Sequence, residues 1–243
     1  MSEWFLDRLT LHSIIIFLRS DLPPEILSLI FIFVHQDLTT QKGAVFEGMR
    51  GLSTICKDWH LLASSIPEIW SCIHVLVNDQ EGMTHSHLNA ISTFLKLSRD
   101  VPLSLTLEFN GPRINTSNPN HLTTAGFHLF LDNFHRWRSI ACKTSYELPS
   151  IPEGSVAPYL EHIDIEFHSN ELPQEAAYCR VLVAAPNLRS YVDNGSMIYC
   201  VPPPDRIEMP WAQLHEFRLS DPIYAKQALF LLDRAKILLS YVL

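Results

Sequence analysis

The chain has 243 residues, 47% hydrophobic and 18% charged, with a formal net charge of −8. That is enough apolar material for one large core or two small ones, and it excludes a disordered solvating chain. The acidic balance, with no basic cluster, offers no footprint for nucleic acid and no cationic helix for a membrane surface.

Residues 9–18 form an apolar run, but Glu3 and Asp7 precede it and no small-residue cleavage site follows. It is a poor secretory signal and too short to span a bilayer. Residues 1–20 are expected to be a helical extension packing near what comes next. The five cysteines are odd in number and never spaced Cys-x-x-Cys. Reduced thiols in the cytoplasm or nucleus are expected, with neither a disulfide framework nor a zinc site.

Pro23 and Pro24 predict a helix start, because proline is tolerated only in the first turn. Glu25 follows where a carboxylate suits the positive helix end. From Ile26 to Val34 only Ser28 is polar. A helix apolar on every side is more than a module of some fifty residues can bury alone, so a partner protein is expected.

The order Leu22-Pro23-Pro24-Glu25-Ile26-Leu27, then Ile30-Phe31, then Cys56-Lys57-Asp58-Trp59 and Pro67-Glu68-Ile69-Trp70-Ser71 resembles an F-box. The likeness is to F-box proteins carrying irregular leucine-rich repeats, which are numerous in fungi. It implies a small helical module at 21–70 that binds the Skp-type adaptor of a cullin-based ubiquitin ligase. The implied contact residues are Leu22, Pro23, Pro24, Glu25, Ile26, Leu27, Ile30, Phe31 and Trp59. Taken singly, Leu22, Ile26, Leu27, Ile30 and Trp59 read equally well as core, Pro23 and Pro24 could act only as helix starters, and Trp59 also reads as the aromatic that pins the later helix to the first. The polar stretch 37–51 is long for a connection between the first two helices.

Beyond Trp70, short segments with period-two alternation recur at 70–77, 103–109, 137–142, 160–167, 188–193 and 214–219. Most carry an apolar anchor, another three residues on and a third two further, as in Leu160, Ile163, Ile165. That spacing suits the strand half of a leucine-rich repeat. The middle anchors Ile73, Leu105, Ile140, Ile163, Tyr191 and Phe217 recur at irregular intervals. Helices are expected at 84–99, 122–135 and 174–185, the last stopping before Pro186. Pro202-Pro203-Pro204 suits a rigid connector. A final helix is expected at about 221–239, and the ending Tyr241-Val242-Leu243 looks cut where another strand would begin. The expected class is thus α+β to α/β: a helical F-box, then an irregular leucine-rich-repeat-like solenoid over 71–243.

Chemistry-bearing motifs are missing. Among the twelve histidines, His60, His74, His162, His168 and His215 sit beside or within the strand segments, and His85 and His87 are two apart, where helical side chains diverge, so surface or capping roles are expected. No phosphate-cradling glycine loop or nucleophile elbow occurs. Asp164 and Glu166 alternate with Ile163, Ile165 and Phe167, as on the outer face of a strand. That face is either a binding surface or merely solvated. The sequence therefore suits a non-enzymatic receptor without cofactor or metal, holding an unknown target protein near the ligase. The alternative is an F-box scaffold that directs no ubiquitination.

Overall fold

The computed structural model describes residues 22–40, 51, 53–78, 82–110, 121–144, 151, 154–167, 185–194 and 214–219. The expected N-terminal extension, the helix at 174–185, the triple-proline connector, the last helix and the apolar ending lie outside these residues.

The first helix, α1, spans Pro24–Thr40. The Pro23 carbonyl accepts from the N–H groups of Ile26 at 3.0 Å and Leu27 at 3.2 Å, so Pro24 sits where its missing N–H costs nothing. The helix runs six residues beyond Val34, into the polar stretch expected to be a connection. The second helix, α2, spans Lys57–Ser65, and the N–H of Trp59 donates to Cys56 Sγ at 3.5 Å at its start. A 3-10 turn, Pro67–Trp70, follows.

Six strands then form one parallel sheet in strict chain order. They are β1 (Cys72–Asn78), β2 (Leu103–Asn110), β3 (Trp137–Thr144), β4 (His162–Phe167), β5 (Ser190–Asp193) and β6 (Glu216–Leu219). The middle anchors stand opposite one another throughout: Ile73 pairs with Leu105, Leu105 with Ile140, Ile140 with Ile163, Ile163 with Tyr191, and Tyr191 with Phe217. Intervals of unequal length thus deliver every strand in the same register. The leading leucines Leu160, Leu188 and Leu214 precede their strands instead of opening them, and all three are buried in the approach. Trp70, expected as the first strand anchor, closes the 3-10 turn, and β1 begins two residues later.

Helix α3 (His85–Leu97) crosses from β1 to β2, and α4 (His121–Leu131) from β2 to β3. Thr84 caps α3 reciprocally: its hydroxyl accepts from the His87 N–H at 3.4 Å, and its own N–H donates to His87 Nδ1 at 3.0 Å. His87 is thereby accounted for as a cap. The backbone leaves α3 through Arg99 at φ +48°, the left-handed step that commonly ends a helix.

Parallel strands linked by helices bury a face under those helices. Here Phe109 meets Phe127 at 5.7 Å and Trp70 meets Phe94 edge-on at 5.0 Å. One hydrophobic cluster runs from Phe31 and Trp59 through the sheet to Leu214. The helical segment and the sheet therefore share a core.

A second 3-10 turn, Phe134–Arg136, leads into β3. Arg136 within it is buried, and its guanidinium is spent on backbone, hydroxyl and side-chain amide oxygens. It donates to Ser98 Oγ at 2.7 Å, the Val101 carbonyl at 2.9 Å, Asn133 Oδ1 at 3.1 Å and the Leu95 carbonyl at 3.5 Å. A cation at the carbonyl-rich end of α3 also suits the helix dipole. Burial pulls its pKa down and Asp100 opposes that pull.

Candidate functional site

Helix α1 has two unlike faces. Leu27, Phe31 and His35 follow one another at intervals of four and turn inward. Phe31 is 0% exposed and Trp59 4% exposed, and their rings meet edge-on at 5.1 Å. Such a pair adds about 0.5–1.5 kcal/mol beyond the area it buries. His35 lies beneath the same face, where desolvation pulls its pKa below the ordinary histidine value.

The other face is apolar and open. Ile26 is 42% exposed, Leu29 52% and Phe33 67%. At positions i, i+3 and i+7 these three project from one side of the helix. Ile30 sits at their margin, half-buried, and Pro23, Pro24 and Glu25 are exposed at the helix start, beside a half-buried Leu22. Leu61 on α2 is exposed as well.

The nine residues that the F-box likeness implies are thus divided by the fold. Pro23, Pro24, Glu25 and Ile26 lie on the surface, while Leu22 and Ile30 are partly covered. Leu27 packs against the core, and Phe31 and Trp59 lie within it, so these side chains face inward. Leu29 and Phe33, which the motif reading passed over, are open apolar residues on α1, 52% and 67% exposed. Their helical spacing from Ile26 was the available signal. In a segment apolar on every side it could not be told from the buried stripe.

The second surface is the sheet face turned away from the helices. One cross-strand row carries His74, Thr106, Ala141, Asp164, Val192 and Arg218, and the next carries Leu76, Glu108, Lys143 and Glu166. Lys143 Nζ lies 2.9 Å from Glu166 Oε1, Asn194 Nδ2 donates to Asp164 Oδ1 at 3.0 Å, and His74 Nε2 lies 3.8 Å from Glu108 Oε1. Opposite charges in adjacent lanes offset one another, leaving a mixed polar surface.

Among the described residues, no group of three His, Cys, Asp or Glu side chains is gathered as a metal ion would need. Among the same residues no helix is long and apolar enough to cross a membrane. Cys142 is fully enclosed, and burial pushes its thiol up to about 12, far from a reactive thiolate.

No protein-family model matches this sequence, and no curated protein matches it.

Proposed function

We propose that this chain is a non-enzymatic substrate receptor of a cullin-based ubiquitin ligase. Helix α1 docks on the Skp-type adaptor through Pro23, Ile26, Leu29, Ile30 and Phe33, with Leu22, Pro24 and Glu25 at the rim. The sheet, read as an irregular leucine-rich-repeat solenoid, holds the target protein. The chain acts by tethering: a bound target experiences a high effective concentration of the ubiquitin-charged enzyme, and no catalytic group is asked of this chain.

One observation carries the reading. The helix that bears the F-box-like residues turns Ile26, Leu29 and Phe33 outward in a row. Burying such side chains is worth about 1.5–3 kcal/mol each, enough for the centre of an interface. Phe31 and Trp59, placed among the contacts by the likeness, serve this reading from beneath, as the support that holds the helix in position.

The test uses the full chain and a recombinant Skp-type adaptor. A Leu29→Asp/Phe33→Asp double variant should lose adaptor pull-down while keeping its circular dichroism spectrum and melting temperature. Full retention of binding would refute the docking face. Affinity purification of the tagged chain from native extract should recover the adaptor and a cullin. A co-purifying protein that is bound but never ubiquitinated would favour the scaffold alternative.

A further inference from the structure

Two turns of the same plan precede β4 and β5. In Ala157-Pro158-Tyr159-Leu160 the Leu160 N–H donates to the Ala157 carbonyl, and in Ala185-Pro186-Asn187-Leu188 the Leu188 N–H donates to the Ala185 carbonyl, both at 3.2 Å. Proline at the second position sets the backbone angle such turns need. The framework residues Ala157, Leu160, Ala185 and Leu188 are all fully buried. The residues displayed differ: Tyr159 and Glu161 from one turn, Asn187 and Arg189 from the next. Asn187 Nδ2 donates to the Pro158 carbonyl at 2.7 Å, which fastens turn to turn.

The backbone brings a third element alongside. Glu161 N–H donates to the Arg138 carbonyl and Arg189 N–H to the Glu161 carbonyl, both at 2.8 Å. Arg138, Glu161 and Arg189 therefore occupy adjacent lanes, about 4.8 Å apart. Arg138 Nε lies 3.3 Å from Glu161 Oε2, and His162 Nε2 lies 3.9 Å from the same oxygen. Arg189 is exposed and has no ion-pair partner among the described residues. Arg138, Glu161 and Arg189, with Pro102, Pro158, Tyr159 and Asn187, line a cleft of about 390 Å³. Tyr159 stands over it, 53% exposed.

We propose that this cleft binds a phosphate monoester carried on an aromatic or short aliphatic group. The Arg189 guanidinium takes the phosphate oxygens, the part of Arg138 not engaged by Glu161 assists it, and Tyr159 packs against the stem. A guanidinium fork matches a tetrahedral oxyanion with two parallel hydrogen bonds. The volume lies toward the small end of ligand sites. Glu161 opposes an anion, but its charge faces Arg138, and two guanidiniums against one carboxylate leave the cleft positive in a protein of net charge −8. The inference does not rest on the adaptor reading, since no residue of α1 lines the cleft.

The test is calorimetric titration of the intact chain at low salt with phenyl phosphate, inorganic phosphate and benzoate. Phenyl phosphate should bind about fivefold or more tightly than either of the others. Arg189→Gln should weaken it about tenfold, with Arg189→Lys in between, because an ammonium keeps the charge and loses the fork. Tyr159→Ala should remove the advantage of phenyl phosphate over inorganic phosphate. Both positions are exposed, so unchanged melting temperatures will certify the variants. The proposal is overturned if no phenyl phosphate binding is measurable at about 10 mM, or if Arg189→Gln binds it as the parent does. Benzoate binding as tightly as phenyl phosphate would overturn the assignment to phosphate.

Discussion

The indole N–H of Trp137 donates to the carbonyl of Phe130 at 3.0 Å, seven residues back along the chain. Trp70 repeats the arrangement, donating to the Ala63 carbonyl at 2.8 Å, also seven residues back. Each tryptophan comes after a helix: Trp137 follows a 3-10 turn and opens β3, and Trp70 closes its 3-10 turn two residues before β1. Both also meet a phenylalanine edge-on at 5.0 Å, Phe94 for Trp70 and Phe134 for Trp137. The same corner is built twice, once at the end of the F-box-like segment and once within the sheet. Trp70→Phe and Trp137→Phe keep most of the packing but remove one of two donors to a buried carbonyl, since the Ile66 N–H still reaches Ala63 and the Asn133 N–H still reaches Phe130, at a cost of about 0.5–1.5 kcal/mol each. Urea denaturation should show similar losses for the two, and a near-neutral result at either would mean that the bond there contributes nothing net.

Arg136 ties the 3-10 turn before β3 to the end of α3 through Ser98, Val101 and Leu95. Arg136→Met fills much of the volume, leaves the Val101 carbonyl without its guanidinium donor and leaves the Leu95 carbonyl only the Ser98 hydroxyl. The expected loss is about 2–4 kcal/mol, and Arg136→Lys should recover little of it because one ammonium cannot reach all the acceptors. Equal stability of the Lys variant and the parent would show that charge alone suffices.

Trp59 and Phe33 should behave in opposite ways. Trp59→Ala removes a buried ring that supports α1 and should lower stability by about 3–5 kcal/mol. Phe33→Ala removes an exposed one and should leave the melting temperature nearly unchanged while weakening adaptor binding. A drop in melting temperature for Phe33→Ala would mean that this ring belongs to the fold.

His35 should make stability fall on the acid side. Its native pKa lies below the ordinary value, so between about pH 6.5 and that lowered value the unfolded chain binds a proton that the native chain does not. Stability is then unaffected by this group above that window and declines as pH falls through it. Urea midpoints at pH 7.5 and 5.5 should differ less in His35→Gln than in the parent. An identical difference in both would remove His35 from the account.

Cys142 should resist alkylation. With its thiol buried and pushed up to about 12, iodoacetamide at pH 8 should leave it unmodified in the native protein and label it in urea. Peptide mass mapping reads this directly, and rapid native labelling would show that β3 opens.

The six strand anchors were legible because alternation is a local pattern, and each strand lies against neighbours that repeat it. Helices α3 and α4 were legible for the same reason, from Ile91, Phe94 and Leu95, and from Phe127 and Phe130. The choice of face on α1 was not. With apolar residues on every side, periodicity carries no phase, and only the seat of Phe31 against Trp59 decides which side is left open. Arg136 was hidden too: an arginine between His135 and Trp137 reads as surface, because its acceptors on Val101, Ser98 and Leu95 lie 35 to 41 residues away. The doubled Ala-Pro-x-Leu turns stood in the sequence, but with unequal intervals elsewhere no fixed repeat length drew attention to them.

A sheet laid down in chain order also has a natural direction of assembly. Each strand finds its lane on the strand made just before it, so the pairing it needs already exists when it emerges from the ribosome. Loop closure spans only one crossover at a time, which keeps the entropic cost of each addition small. In a chain made from its N-terminal end, the newest strand would be the open edge until the next one pairs with it.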